Sequence, residues 1–287
     1  MAQATEDPEA PRPTAPVPSS SVARAPMAAS LVRLSVAAAS LGAAAAQAAQ
    51  EDAAALLQVG ASVERSEDAC KCLVWKDVYS QHGVECGAGQ ELTWAGGMDT
   101  KSFLGEEFCS HFYEKVSHSL CVNLHFNEQR SEQWCYVSPE CEALNGGGAV
   151  GSLKWKQCTP GQDPMLGQMA PEEVHGVAVS DNKDAGLILK MAYPIYQAGM
   201  KWPAVKECLA DMGGEGCTTL QSVQAAGKPM IFDSEDGHPP FGIVVGSKAL
   251  ESHFTPWFFQ TVKSKAEDLW ISPGKMNDYE CVSGCSQ

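Results

Sequence analysis

Residues 133–148 read QWCYVSPECEALNGGG. Trp134 and Tyr136 flank Cys135, a turn follows at Pro139, and a glycine run leads to the short, strand-like LKWKQC of residues 153–158. This is the pattern of a small unit in which buried tryptophan and tyrosine pack against cystine sulfurs. Bridges there replace core area that the segment cannot supply.

Working outward, the chain of 287 residues carries twelve cysteines: Cys70, Cys72, Cys86, Cys109, Cys121, Cys135, Cys141, Cys158, Cys208, Cys217, Cys281 and Cys285. The count is even, with eight up to Cys158 and four beyond it, as two separately bridged units would show. Cys70 and Cys72 are too close to pair easily and are expected to take different partners. Upstream, CKCLVWKDVYSQHGVECG (70–87) reads as a short amphipathic stretch and then a loop. In KSFLGEEFCSHFYEKVSHSLC (101–121), Phe103, Leu104, Phe108, Phe112 and Val116 keep near one helical face and predict a helix.

The runs CKCLVWKDVY, HGVECGAGQEL, LCVNL, QWCYVSPECEALNGGG and WKQCTPGQDPML together resemble a family of secreted cysteine-rich proteins in dinoflagellate algae. The resemblance runs from Cys70 to about Glu173 and more weakly through IFDSEDGHPPFGIVVG at 231–246. It implies a disulfide-bonded fold and carries no activity, cofactor or catalytic residue with it.

Downstream, VHGVAVS (174–180) reads as a strand, and DNKDAGLILKMAYPIYQAG (181–199) as a helix capped by Asp181 or Asn182. KWPAVKECLADMGG (201–214) predicts another helix, with Pro203 in its first turn and Gly213 past its end. PMIFD and FGIVVGS form a strand pair around the turn-rich SEDGHPP. ALESHFTPWFFQTVKSKAEDLW (249–270) reads as a long helix, broken or restarted at Pro256, and YECVSGCSQ is expected to pin the end by bridging back. The fold class is therefore α+β: a small disulfide-rich N-terminal unit, then a mixed helix and short-sheet unit. The domain division is 70–173 for the cysteine-rich domain and 174–287 for the α+β domain.

The formal charge of −15 lies wholly beyond residue 50, because Glu6, Asp7 and Glu9 balance Arg12, Arg24 and Arg33 before it. Such an acidic chain repels phosphate backbones, which argues against nucleic acid as a partner. Residues 27–49 have the layout of a secretory signal peptide: Arg33, an apolar stretch from Leu34 to Ala46, and small residues at a cleavage site. Residues 1–26 are then a disordered extension or a gene-model artefact, with translation starting at Met27, and residues 50–69 are a flexible lead-in. The leader is too short and too alanine-rich for a membrane span, so no stable transmembrane segment is expected in the mature chain. A free alanine-rich tail and a plastid leader are the alternatives, although Glu6, Asp7 and Glu9 argue against a transit peptide.

Catalytic motifs are scarce. His111 and His118 with Glu114 would share a face of a continuous helix and suit zinc or copper, with solvated histidines as the ordinary reading. His125 continues the same seven-residue recurrence but falls beyond the predicted helix. Asp233 and His238 could form an acid–base pair, although DSEDGHPP more often makes a polar turn. No nucleophile elbow, Walker A sequence or dinucleotide glycine pattern occurs, so no cofactor is expected. Trp94, Trp134, Trp155, Trp202, Trp257 and Trp270 are either core or a surface for a carbohydrate or protein ligand. The leading reading is a secreted or cell-surface binding or structural protein. An extracellular hydrolase using Asp233 and His238, or a metal at His111 and His118, ranks second, and a plastid-lumen protein third.

Overall fold

Strand β2 (Gln133–Val137) is buried at all five positions, and its alternation organises the first half of the protein. Successive strand side chains point to opposite faces. Trp134 and Tyr136 enter the largest core cluster, while Cys135 and Val137 join Cys72, Cys121, Cys141 and Cys158 on the other side. Sulfur therefore packs mainly on sulfur and aromatic on aromatic, instead of the tryptophan-on-cystine packing expected from the sequence. Trp75 is the hub of the rings, with centroids 4.9 Å from Trp134, 5.0 Å from Tyr113 and 5.6 Å from Tyr136. Of the four bridges in this half, only Cys86–Cys109 sides with the aromatics.

The computed structural model describes residues 69–95, 105–214, 216–265, 269 and 271–285. The readings of residues 1–26, 27–49 and 50–68, of Phe103 and Leu104, and of Trp270, lie outside the described residues. In chain order the elements are helix α1 (Trp75–His82), a π-helical turn (Glu106–Ser110), a 3-10 turn (Tyr113–Lys115), β1 (Val122–Asn123), β2, β3 (Gly148–Val150) and β4 (Leu153–Gln157). There follow a 3-10 turn (Leu166–Gln168), α2 (Pro171–Ser180), α3 (Ala185–Ala192), α4 (Trp202–Ala210) and α5 (Thr218–Ala226). The chain closes with β5 (Met230–Phe232), β6 (Phe241–Val245), β7 (Lys248–Phe254), α6 (Pro256–Ser264), a 3-10 turn (Pro273–Lys275) and β8 (Asn277–Ser283). The class is α+β, with two antiparallel four-stranded sheets ordered β1-β2-β4-β3 and β5-β6-β7-β8. Among the described residues no helix is long and apolar enough to cross a membrane.

The second sheet also divides its faces by twos. Ile231, Phe241, Ile243 and Leu250 enter the core cluster that holds Trp75 and Trp134, while Phe232, Val244 and Ala249 pack under Trp202, Val205 and Leu220 of α4 and α5. Gly242 belongs to that second face, and a Cβ there would lie inside the Trp202 ring. The main core draws on both sides of residue 173, joining Trp134 and Phe112 to Ile188, Met191 and Ile243. Hydrogen bonds cross the same boundary, from Gln133 Nε2 to the Ala192 carbonyl (2.8 Å) and from the Tyr193 hydroxyl to the Met169 carbonyl (2.8 Å).

All twelve cysteines are bridged: Cys70–Cys141, Cys72–Cys135, Cys86–Cys109, Cys121–Cys158, Cys208–Cys217 and Cys281–Cys285. Cys70 and Cys72 do take different partners, and no bridge crosses residue 173. The last pair corrects one expectation. Cys281 and Cys285 close a local loop instead of bridging back, and the C-terminal segment is anchored by β8 pairing with β7. Six bridges without a free thiol fit an extracellular, disulfide-stabilised protein.

Three sequence-based element assignments change, and one element is added. VHGVAVS lies in helix α2, which begins at Pro171 and has the Glu173 carboxylate accepting from the Ala170 amide (2.8 Å). ALESHF is strand β7, because its backbone pairs with β6 on one side and β8 on the other. The helix expected through Phe108 and Val116 breaks at Phe112, where φ is −123° and ψ −83°. Helix α5 had no counterpart in the sequence reading.

A candidate ligand-binding cleft

Lys190 stands alone as a charge in the apolar helix α3, AGLILKMA, and its side chain reaches toward the loop after β5. Its ammonium donates to Asp233 Oδ1 (2.9 Å) and to the Gly237 carbonyl (2.5 Å), and lies 5.0 Å from the centroid of the Phe241 ring. The side chains of this pair are only 12 % and 8 % exposed. A buried ion pair survives desolvation only when its remaining hydrogen-bonding capacity is met. Here the Gly237 carbonyl serves the lysine, and the Ser234 amide donates to Asp233 (3.1 Å).

The loop itself is internally fastened. The Ser234 hydroxyl donates toward Asp236 Oδ1 (2.9 Å) and the His238 carbonyl (2.5 Å), and the His238 amide donates to Asp236 (3.1 Å). The His238 amide and then the Ser234 hydroxyl hold the Asp236 carboxyl below the usual aspartate range. Gly237 sits at φ +80°, the left-handed region that glycine enters without steric penalty.

This polar loop is one side of a cleft of about 630 Å³. The same cleft is lined by rings from distant parts of the chain. Trp94, Phe108 and Phe126 interlock with centroid distances of 4.9, 4.6 and 5.1 Å, and Phe254 stacks on Phe258 at 3.9 Å. Asp184 and Asn277 close the polar side. Asp184 caps α3 by accepting from the Gly186 and Leu187 amides (2.8 and 3.3 Å), and it also accepts from Asn277 Nδ2. Asn277 is 3 % exposed, and its Oδ1 has no partner among the described residues. The volume and the mix of apolar walls with a few polar groups suit a small organic ligand.

Asp233 and His238 both line this cleft, but no hydrogen bond joins them. Asp233 is committed to Lys190 and the Ser234 amide. The carboxylate nearest His238 in bonding terms is Asp236, which accepts from the backbone amide. Asp233 Oδ1 takes both the lysine and the amide, and His238 is not hydrogen-bonded to Asp233, so the two are not joined as an acid–base pair in this structure.

His111, Glu114 and His118 are not gathered as ligands either, since the helix that would align them ends at Phe112. His118 Nδ1 pairs with Asp181 Oδ2 at 2.7 Å, and that carboxylate also accepts from the Ser117 hydroxyl (2.5 Å) and amide (3.1 Å). Serine, histidine and aspartate thus meet, but the serine bonds the carboxylate, so no base activates it. His125 contacts Arg130 instead, and burial followed by the Arg130 charge pushes its imidazole down. The tightest group of metal-type atoms among the described residues is Cys72, Cys121, Cys135 and Cys158, whose sulfurs lie within 4.8 Å of one another. They form two adjacent bridges, with 3.4 Å between the Cys72 and Cys121 sulfurs. Metal ligation needs thiolates, and bridged sulfurs offer none.

Of the six tryptophans singled out, Trp134 and Trp202 are core, while Trp94, Trp155 and Trp257 are half-buried. Among the described ones only Trp94 lines the cleft. Lys190 and Asn277 escaped the sequence reading. The lone lysine inside an apolar helix was a signal for the first, and no local feature marked the second. Comparison with family models, curated proteins and solved structures finds no match.

Proposed function

We propose that this is a secreted binding protein whose cleft between the Trp94–Phe108–Phe126 rings and the Lys190–Asp233 pair takes a small amphipathic ligand. The observation that carries the reading is one arrangement: rings from three parts of the chain and a prearranged polar loop line a single cavity. Membership of the dinoflagellate secreted family belongs to the same proposal and rests on the motifs between Cys70 and Glu173. Binding is favoured over hydrolysis because the cleft's buried carboxylate, Asp233, is held by Lys190. Among the described residues no hydrogen-bonded nucleophile–base pair lines the cavity.

A ligand-observed NMR screen of the oxidised protein against indoles, phenols and short saccharides tests this. At least one class is expected to bind, and Phe254→Ala is expected to weaken it while circular dichroism and the disulfide map stay unchanged. Binding that is indifferent to Phe254→Ala would move the site elsewhere, and a screen without any binder would refute the reading.

A further inference from the structure

We infer that the cleft selects organic cations, taking an ammonium head on an aromatic or apolar body. This deepens the binding reading above and rests on it. Four carboxylates line the cavity, Asp184, Asp233, Glu235 and Asp236, against two ammonium groups, Lys190 and Lys201. Lys190 is neutralised by Asp233 and holds the Gly237 carbonyl as well, so it has little left to offer an anionic ligand. Glu235 and Asp236 are exposed at the cavity, and Asp236 is oriented by the His238 amide and the Ser234 hydroxyl. Ionised carboxylates only accept hydrogen bonds. Glu235 and Asp236 thus give the cavity exposed acceptors, which a ligand rich in N–H donors matches.

The aromatic lining supports the same class. Trp94, Phe108, Phe126, Phe254 and Phe258 supply aromatic lining, and a ring face attracts an ammonium group where it is open to one. A whole-chain charge of −15 steers cations toward the protein and anions away from it. Carboxylates and aromatic rings are the two devices by which proteins hold an organic ammonium, and the cleft's lining carries both.

Three probes of one shape separate the terms: tryptamine, neutral tryptophol and anionic indole-3-acetate, titrated calorimetrically into the full oxidised chain. Tryptamine is expected to bind about tenfold tighter than tryptophol. Indole-3-acetate is expected to bind weakest, and added salt should narrow the spread by screening. Glu235→Gln combined with Asp236→Asn, both at exposed positions, should lower the tryptamine affinity more than the tryptophol affinity. Equal affinities for tryptamine and tryptophol, or a preference for the acid, would overturn the cation assignment and leave the binding cleft standing. Heat from none of the three would overturn the cation assignment, and the Phe254→Ala screen above decides the cleft separately.

Discussion

Glu91 is fully buried, and its carboxyl is held by the hydroxyls of Tyr136 (2.6 Å) and Tyr79 (2.9 Å) and by the Gly89 amide (3.0 Å). Burial pushes its pKa up, and the hydrogen bonds recover only part of that shift. The folded protein therefore binds this proton at a pH where the unfolded chain has already released it. In the window above the ordinary glutamate value, the native state holds more protons, so this group's contribution to stability is intact at lower pH and falls as pH rises. Glu91→Gln is expected to flatten that segment of a stability profile recorded by urea unfolding between about pH 4 and 7. An unchanged profile would show that another group titrates there. Glu91→Ala should cost about 2–4 kcal/mol, because two phenol donors lose their acceptor inside the core. No motif in GAGQEL announces this carboxylate, since its partners Tyr79 and Tyr136 lie 12 and 45 residues away.

Helix α3 shows how a tertiary contact moves an element's boundary. Asp181 and Asn182 are both chemically suited to cap it, and the sequence alone places the start there. In the fold Asp181 is occupied by Ser117 and His118, and Asn182 takes a left-handed backbone with φ +52°. The cap falls to Asp184. Asp184→Ala should lower stability by about 1–2 kcal/mol, read as a drop in thermal midpoint, and loosen Asn277 at the cleft. An unchanged midpoint would mean that Asp184 contributes little to the helix. Strand β7 makes the complementary case. Ala249, Leu250 and Glu251 favour helix locally, yet both strand edges are taken by neighbours, and pairing outweighs a propensity of a few tenths of a kcal/mol per residue. The β5–β6 pair, by contrast, was legible, because its apolar runs and the intervening turn residues are all local.

At the scale of the whole molecule, the bridges differ in what they restrain. Cys70–Cys141 spans 71 residues and Cys281–Cys285 only 4. Because Cys72–Cys135 already closes nearly the same loop as Cys70–Cys141, the entropic contrast is read on Cys121–Cys158, which spans 37 residues. Removing it should cost about 4 kcal/mol, and removing Cys281–Cys285 about 2 kcal/mol. Paired cysteine-to-alanine variants compared by guanidinium unfolding would check this, and equal losses would count against entropy as the main source. The long bridges tie the start of the described chain to the sheet that supports Trp134, and that core continues into the second half through Ile188 and Met191. The cleft depends on this continuity, since Trp94 and Phe126 come from one half and Lys190, Asp233 and Phe254 from the other.

By itself the sequence determined whatever rests on composition and neighbours: an α+β chain, a bridged framework of eight and four cysteines, distinct partners for Cys70 and Cys72, and a polar turn from Asp233 to His238. Tertiary structure alone decided which sulfurs pair, which face of β2 takes rings and which takes cystines, and that Asp233 meets Lys190 instead of His238. The reason is distance along the chain. Asp233 and Lys190 are 43 residues apart, and Trp94 and Phe254 farther still. Local periodicity carries no record of such meetings. They form because the folded core makes burying both partners together less costly than burying either alone.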